Sequence, residues 1–278
     1  YEYDKLVLAQ GSEPIEQDWL PKDDKIFRVN HLEEYETFYQ SIEKKPEIAI
    51  IGGGLIGVEF SHDIVSHSKK LYLVEAAPSL MAAQLPVEIG RSLQKQLESM
   101  GVDVLVDQKI KSVQVHNQVK LSLSDRTITT DIALAAIGLR PQVELAKQAG
   151  LKVEVGISVN KHCQTSHPDV YALGDCAQVC GLLRYYVAPL KICAQVVAKN
   201  LLGDLEEVHY HPMPVMLKTP TYPVCFCYKE MPKEWQVSEY SDGIEAKAYE
   251  GDKLIGFAVS GSQIVKRIEL KNLMDDWL

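Results

Sequence analysis

The stretch Ile48–Phe60, IAIIGGGLIGVEF, limits the fold of this chain more than any other. An apolar run of strand length meets Gly52, Gly54 and Gly57 at G-x-G-x-x-G spacing and passes directly into a segment of helix length. Gly52 permits a tight turn, Gly54 lets a pyrophosphate approach the backbone, and Gly57 lets helix and strand pack closely. The first N–H groups of the helix, around Leu55 and Ile56, aim the positive end of its dipole at the same place. Such a turn belongs to a βαβ unit with a parallel sheet and right-handed crossover.

The flanking pattern agrees. EIAII (47–51), KLYLVE (70–75) and VDVLV (102–106) read as buried strands, alternating with helices over 55–66 and 86–100, the second ended by Gly101. The period then changes: 112–116, 119–124 and 127–131 alternate like an antiparallel meander, and ALAAI (133–137) is a further strand stopped by Gly138 and Pro141. Ahead of this section lie a short strand at 5–9 and a helix over 31–44, with Leu32, Tyr35, Phe38, Tyr39 and Ile42 on one face. Behind it come the strand VYAL with the turn Gly174-Asp175, then a helix with Pro189 at its first position and Gly203 just past its end. From His209 onward the chain is β-rich, with a closing helix over about 262–277. The fold class is α/β, a Rossmann-like three-layer domain followed by a small α+β domain.

Glu75 ends the second strand, where a carboxylate accepts hydrogen bonds from ribose hydroxyls and repels a 2′-phosphate. Ala76 and Ala77 follow, with no arginine to welcome that phosphate, so the expected ligand is NAD(H) and not NADP(H). Glu59, one turn into the helix, either faces the nicotinamide or is simply an early acid favoured by the dipole. The net charge of −9 argues against nucleic acid as a partner. No run reaches membrane-spanning length and the chain opens without a signal-peptide pattern, so the expected location is cytoplasmic and off the membrane. The six cysteines form no C-x-x-C, and read as free thiols. His209-x-His211 lacks a third ligand, and nothing orients His162 with Cys163 or Cys176, so neither a metal site nor a nucleophile is expected.

Three further segments carry a family resemblance. YDKLVLAQGSEP (3–14), ALAAIGLRP (133–141) and TSHPDVYALGDCAQV (165–179) resemble, in order and spacing, the motifs around the inserted NAD domain of FAD-dependent pyridine nucleotide-disulfide oxidoreductases. YYVAPLKICAQVVAKNLLG (185–203), VMLKTPTYPV (215–224) and the segment 234–261 resemble the rubredoxin and flavorubredoxin reductase branch of that family. The resemblance implies an NAD(H)-binding domain (45–138) inserted in a partial FAD-binding domain (1–44 and 139–204), with a C-terminal α+β domain (205–278). It implies hydride transfer from NADH to FAD and then single-electron transfer to rubredoxin or a similar iron protein, with no catalytic side chain required. It assigns Gly11, Gly174 and Asp175 to FAD, Gly138 to the return from the NAD domain, and Glu59 to the nicotinamide. Tyr186, Ala188, Pro189 and Leu190 would line the flavin at a helix N-terminus, with Lys218 near the flavin edge. Gln10 stands where the family's turn usually has threonine. Lys266, Arg267 and Lys271 form a candidate basic patch for an acidic partner, or else ordinary solvated charge. The resemblance also leads to the expectation of another ADP-binding half ahead of this sequence, and of weak FAD binding without it. Other acceptors within the family (ferredoxin, oxygen or a disulfide) and an inactive nucleotide-binding fragment are the alternatives.

Overall fold

A computed structural model describes residues 2–278. The chain divides into two compact units, one made of residues 14–138 and 214–274, the other of the segments up to Glu13, 139–213 and 275–278.

The first unit is built on five parallel strands in the order Ile26–Phe27, Ile132–Ala135, Glu47–Ile51, Lys70–Val74 and Val102–Leu105. The central strand Glu47–Ile51 is a continuous apolar run because both of its faces are covered. Ile48 and Ile50 enter one core, shared with Phe38, Val58 and Leu93 of the helices Leu32–Ile42, Leu55–Ile64 and Val87–Ser99. Ala49 and Ile51, on the other face, enter a second core with Val113, Val119, Leu121 and Ile128. That side is closed by the meander Ser112–Val115, Val119–Ser122 and Thr127–Thr130. The result is the three-layer arrangement the pattern implied. Residues 214–274 add an antiparallel sheet in the order Val215–Leu217, Val224–Tyr228, Lys253–Gly261, Gly243–Glu250 and Gln236–Tyr240. Its Leu217, Val224, Phe226, Ile244 and Ala258 join the first core.

In the second unit the strand Leu6–Leu8 pairs in parallel with Val170–Ala172, and Ile157–Val159, Ala177–Val179 and Leu182–Leu183 form a second small sheet. A helix over Val187–Leu201 ends before Gly203, whose φ of +100° stops it. Trp277 is buried in this unit, with its backbone N–H on Tyr210 O at 2.6 Å and its ring under Arg184.

Four local expectations need correction. The face assigned to the first helix is only half buried: Phe38, edge-on to Phe27 and Phe60, and Ile42 are inside, while Leu32, Tyr35 and Tyr39 are exposed. Pro189 is not the first helical residue. The helix begins at Val187 with Tyr186 as its cap, and proline is tolerated at the third position because no residue of the first turn has an intrahelical N–H partner. The helix 55–66 is α only to Ile64 and tightens to a 3₁₀ turn over Val65–His67. The closing helix is short, a 3₁₀ turn Ser262–Lys266 and an α-helix Arg267–Asn272, since the chain must extend for Trp277 to reach its buried place.

Candidate functional site

The sequence-predicted residues fall into two groups, one in each unit. In the larger unit the glycine turn is held by close approaches. The Gly52 N–H bonds Val74 O at 2.8 Å, and its φ is +107°. A Cβ on Gly57 would lie 1.8 Å from Gly52 O. Gly54 is different: it caps the helix in extended conformation, and a Cβ there would meet nothing within 4 Å. The space beside Gly54 is therefore open, whereas Gly52 and Gly57 are required by the protein itself. Leu55 and Ile56 open the helix, so their N–H groups have no intrahelical acceptor.

Glu75 follows the strand Lys70–Val74 directly. One of its oxygens accepts the Gly53 N–H at 2.6 Å and the other accepts the Ala77 N–H at 2.7 Å. A carboxylate offers about four acceptor positions, so each oxygen keeps one for a hydroxyl pair. Gly53 was missed in the sequence, although the run of three glycines signalled it. A side chain there would press on Leu80 Cδ2 at 2.7 Å and on the Cβ of Glu75 at 2.9 Å. Gly138, at φ +105°, follows the strand Ile132–Ala135, and its carbonyl accepts the Ile15 N–H at 3.0 Å.

Glu59 is half-buried one turn into the helix, and its Oε1 accepts the backbone N–H of Lys218 at 2.8 Å. The structure thus joins two residues that the sequence placed separately. One turn further on, His62 Nε2 lies 3.1 Å from Thr221 Oγ1. Neither His62 nor Thr221 stood out in the sequence.

In the second unit, Gly174 has φ +78° and opens the 3₁₀ turn Gly174–Cys176. Ser12 Oγ donates to Asp175 Oδ2 at 3.0 Å, so the strand after Gly11 and the turn at Asp175 converge. Gln10 Oε1 is buried without a hydrogen-bond partner among the described residues. Burial pushes the Cys176 thiol up, and Cys176 donates to Leu173 O, which makes it an inert neighbour and no nucleophile. At the start of the Val187–Leu201 helix, Tyr185, Tyr186, Val187 and Leu190 are large apolar residues left exposed, Val187 at 65%, beside the unpaired first-turn N–H groups. Ala188 is exposed and Pro189 buried. An apolar cluster at a helix N-terminus, a converging carboxylate and an orphaned buried amide oxygen fit a planar, partly anionic cofactor.

Of the proposed basic patch, Lys266 is bonded to the buried Glu245, and Arg267 turns its Nη1 to Ile264 O. It is not the free cluster its spacing suggested. His211 Nδ1 pairs with Asp276 at 2.6 Å, and no group of His, Cys, Asp or Glu among the described residues could hold a metal. No helix among the described residues is long and apolar enough to cross a membrane.

A parallel sheet, a glycine turn with an open phosphate side, and a strand-end carboxylate with spare acceptor positions define a dinucleotide-binding protein of the Rossmann type. Residues 1–196 match the profile of the pyridine nucleotide-disulphide oxidoreductases, and residues 207–274 match the rubredoxin binding C-terminal domain. The chain belongs to the pyridine nucleotide-disulphide oxidoreductase family. It is 37% identical to a nitric oxide reductase FlRd-NAD(+) reductase of Vibrio vulnificus over 97% of this chain and 72% of that protein. A rubredoxin-NAD(+) reductase of Alcanivorax borkumensis is likewise 37% identical, over 97% of this chain and 72% of its own length. The fold is similar to that of putidaredoxin reductase in its covalent complex with putidaredoxin, with a TM-score of 0.88 and 21% identity over 99% of this chain and 70% of that one. It is also similar to that of an NAD-dependent persulfide reductase from A. fulgidus, with a TM-score of 0.89 and 22% identity over 99% and 57%.

Proposed function

We propose that this chain is the NAD(H)-binding and acceptor-docking part of a flavoprotein reductase that passes electrons from NADH through FAD to rubredoxin or a rubredoxin-like iron protein. The observation that carries the reading is the pairing, on one chain, of a dinucleotide turn backed by Glu75 with a segment, 207–274, that matches a rubredoxin-binding domain. When bound, NADH supplies a hydride and FAD converts that electron pair into single electrons for the iron partner.

The chain's own residues position and select. The N–H groups at Leu55 and Ile56 hold the NAD pyrophosphate, which comes close to the backbone at Gly54. Glu75 accepts the adenine-side ribose hydroxyls and disfavours a 2′-phosphate. Glu59 faces the nicotinamide with the oxygen that Lys218 leaves free. In the other unit, Asp175 takes a ribityl hydroxyl in addition to Ser12, and Gly11 and Gly174 bring the backbone close. Tyr186, Ala188, Pro189 and Leu190 cover the flavin, and the helix N-terminus favours the negative charge of its reduced form. In this reading the segments up to Glu13 and 139–204 serve FAD, residues 14–138, which include the strand Ile26–Phe27 and the helix Leu32–Ile42, serve NAD(H), and 205–278 meet the acceptor, in a cytoplasmic protein.

The test is stopped-flow mixing of the full-length, FAD-loaded protein with NADH and then with oxidised rubredoxin. Bleaching of the flavin by NADH, followed by reduction of rubredoxin at a rate saturable in rubredoxin, is expected. A flavin that NADH leaves oxidised would refute the reading.

A further inference from the structure

The helix that starts at the glycine turn carries Glu59 and His62 at i and i+3, one above the other on the same face. Both reach the turn between the strands Val215–Leu217 and Val224–Tyr228. Glu59 Oε1 accepts the Lys218 N–H at 2.8 Å, and His62 Nε2 lies 3.1 Å from Thr221 Oγ1. The Thr221 hydroxyl also reaches Met100 Sδ at 3.6 Å, and the other ring nitrogen of His62, Nδ1, lies 3.4 Å from Asp63 Oδ1, so the ring is held between a carboxylate and the turn. The turn closes on itself through Tyr222 N–H to Thr219 O at 3.0 Å and Thr219 Oγ1 to Tyr222 O at 2.8 Å. A turn tied internally moves as a piece, so fixing Thr221 also fixes Lys218.

We propose that His62, acting through Thr221, is a positioning residue for Glu59: it holds the turn so that the Lys218 N–H occupies one oxygen of Glu59 and aims the other at the nicotinamide. This rests on the NADH reading above. Without the His62–Thr221 bond the turn shifts, the Lys218 N–H leaves the carboxylate, and Glu59 is free to rotate away from the carboxamide. His62 touches neither cofactor nor substrate in this scheme. Its contribution is one net hydrogen bond, which corresponds to about a fivefold effect on the binding it supports.

Thr221→Val removes the hydroxyl at constant shape, His62→Phe removes the ring nitrogens, and His62→Gln returns an amide that can donate or accept close to where Nε2 stood. Three quantities are to be read: hydrogen exchange at the Lys218 amide, the NAD⁺ dissociation constant by calorimetry, and the rate of flavin reduction by NADH. Thr221→Val and His62→Phe should speed Lys218 exchange and weaken NAD⁺ about fivefold, with His62→Gln close to wild type in both. Hydrogen exchange at the amides of the central strand Glu47–Ile51 should stay unchanged, which a general loss of structure would not allow. Unchanged Lys218 exchange in Thr221→Val would overturn the clamp. Faster exchange with unaltered NAD⁺ affinity and reduction rate would overturn its role in positioning Glu59. Failure of the NADH reading itself would appear separately, as a wild-type protein that does not bind NAD⁺ while the exchange data still report the clamp.

Discussion

The carboxylate of Glu75 takes one backbone N–H on each oxygen, from Gly53 and Ala77, and is thereby fixed before any ligand arrives. A pre-aimed carboxylate discriminates more sharply than a mobile one, since no rotamer entropy is lost on binding. Glu75→Ala should weaken NADH roughly tenfold, as expected for loss of charge-assisted hydrogen bonds, while NADPH loses a repulsion and weakens less. The measurement is the ratio of the two dissociation constants; an unchanged ratio would remove Glu75 from the ribose role. The glycines of the turn separate by the same kind of reasoning. Gly54→Ala adds a methyl to open space at an ordinary φ, so the protein should melt normally and lose NADH affinity. Gly57→Ala drives a methyl to 1.8 Å from Gly52 O and should cost about 1–3 kcal/mol of stability in denaturant unfolding, with cofactor binding lost as a consequence. Gly52, Gly54, Gly57 and Glu75 were all legible in the sequence because their spacing encodes backbone geometry. His62 and Thr221 were not, since they are partners 159 residues apart, a separation that no local pattern reports.

Among the elements, the C-terminal sheet is secured by one buried carboxylate. Glu245, on the strand Gly243–Glu250, is paired with Lys247 at 3.0 Å, with Lys266 of the turn Ser262–Lys266, and with the Tyr240 hydroxyl at 3.3 Å. Burial works to raise its pKa, but the two ammonium groups together outweigh it and hold the carboxyl below its ordinary range. A depressed carboxyl stabilises the fold above its unfolded pKa, about 4.3, and that stabilisation disappears as pH falls through the lower folded value. Acid unfolding of wild type should therefore steepen below about pH 4, and Glu245→Gln should flatten that dependence. Lys266→Met, read by denaturant unfolding at neutral pH, should cost about 1–3 kcal/mol, because the carboxylate stays buried with one partner fewer. The same pairing explains why the closing helix was misjudged. Its charges read as a solvated face with a basic patch, yet Lys266 is turned inward, and the helix stops at Asn272 so that the chain can continue to Trp277. The parallel strands and the meander were readable because period and burial coincide there. The start of the Val187–Leu201 helix lies two residues ahead of Pro189 because proline, though favoured at the first position, is tolerated throughout the first turn, where no N–H has an intrahelical acceptor.

At the scale of the whole chain, the charge is −9, and within the basic cluster the sequence offered, Lys266 is neutralised by Glu245, while Arg267 gives an N–H to the neutral Ile264 O and keeps its charge. Long-range attraction of an acidic rubredoxin is therefore opposed by the net charge of this chain, and apolar contact is the contribution that this charge does not oppose. Val265 and Ile268, exposed at 72% and 61% within the rubredoxin-binding segment, are of the type that supplies it. Two bodies of like charge repel at low salt and are released from that repulsion as ions screen them; two of opposite charge behave in the reverse way. The association rate with an acidic rubredoxin, measured by stopped flow from about 20 to about 200 mM salt, should stay level or rise as salt is added. For an electrostatically steered pair the same titration falls steeply. A fall of tenfold or more over that range would mean that a basic docking face assembles elsewhere on the protein, and that the internal pairing of Lys266 has no bearing on partner choice.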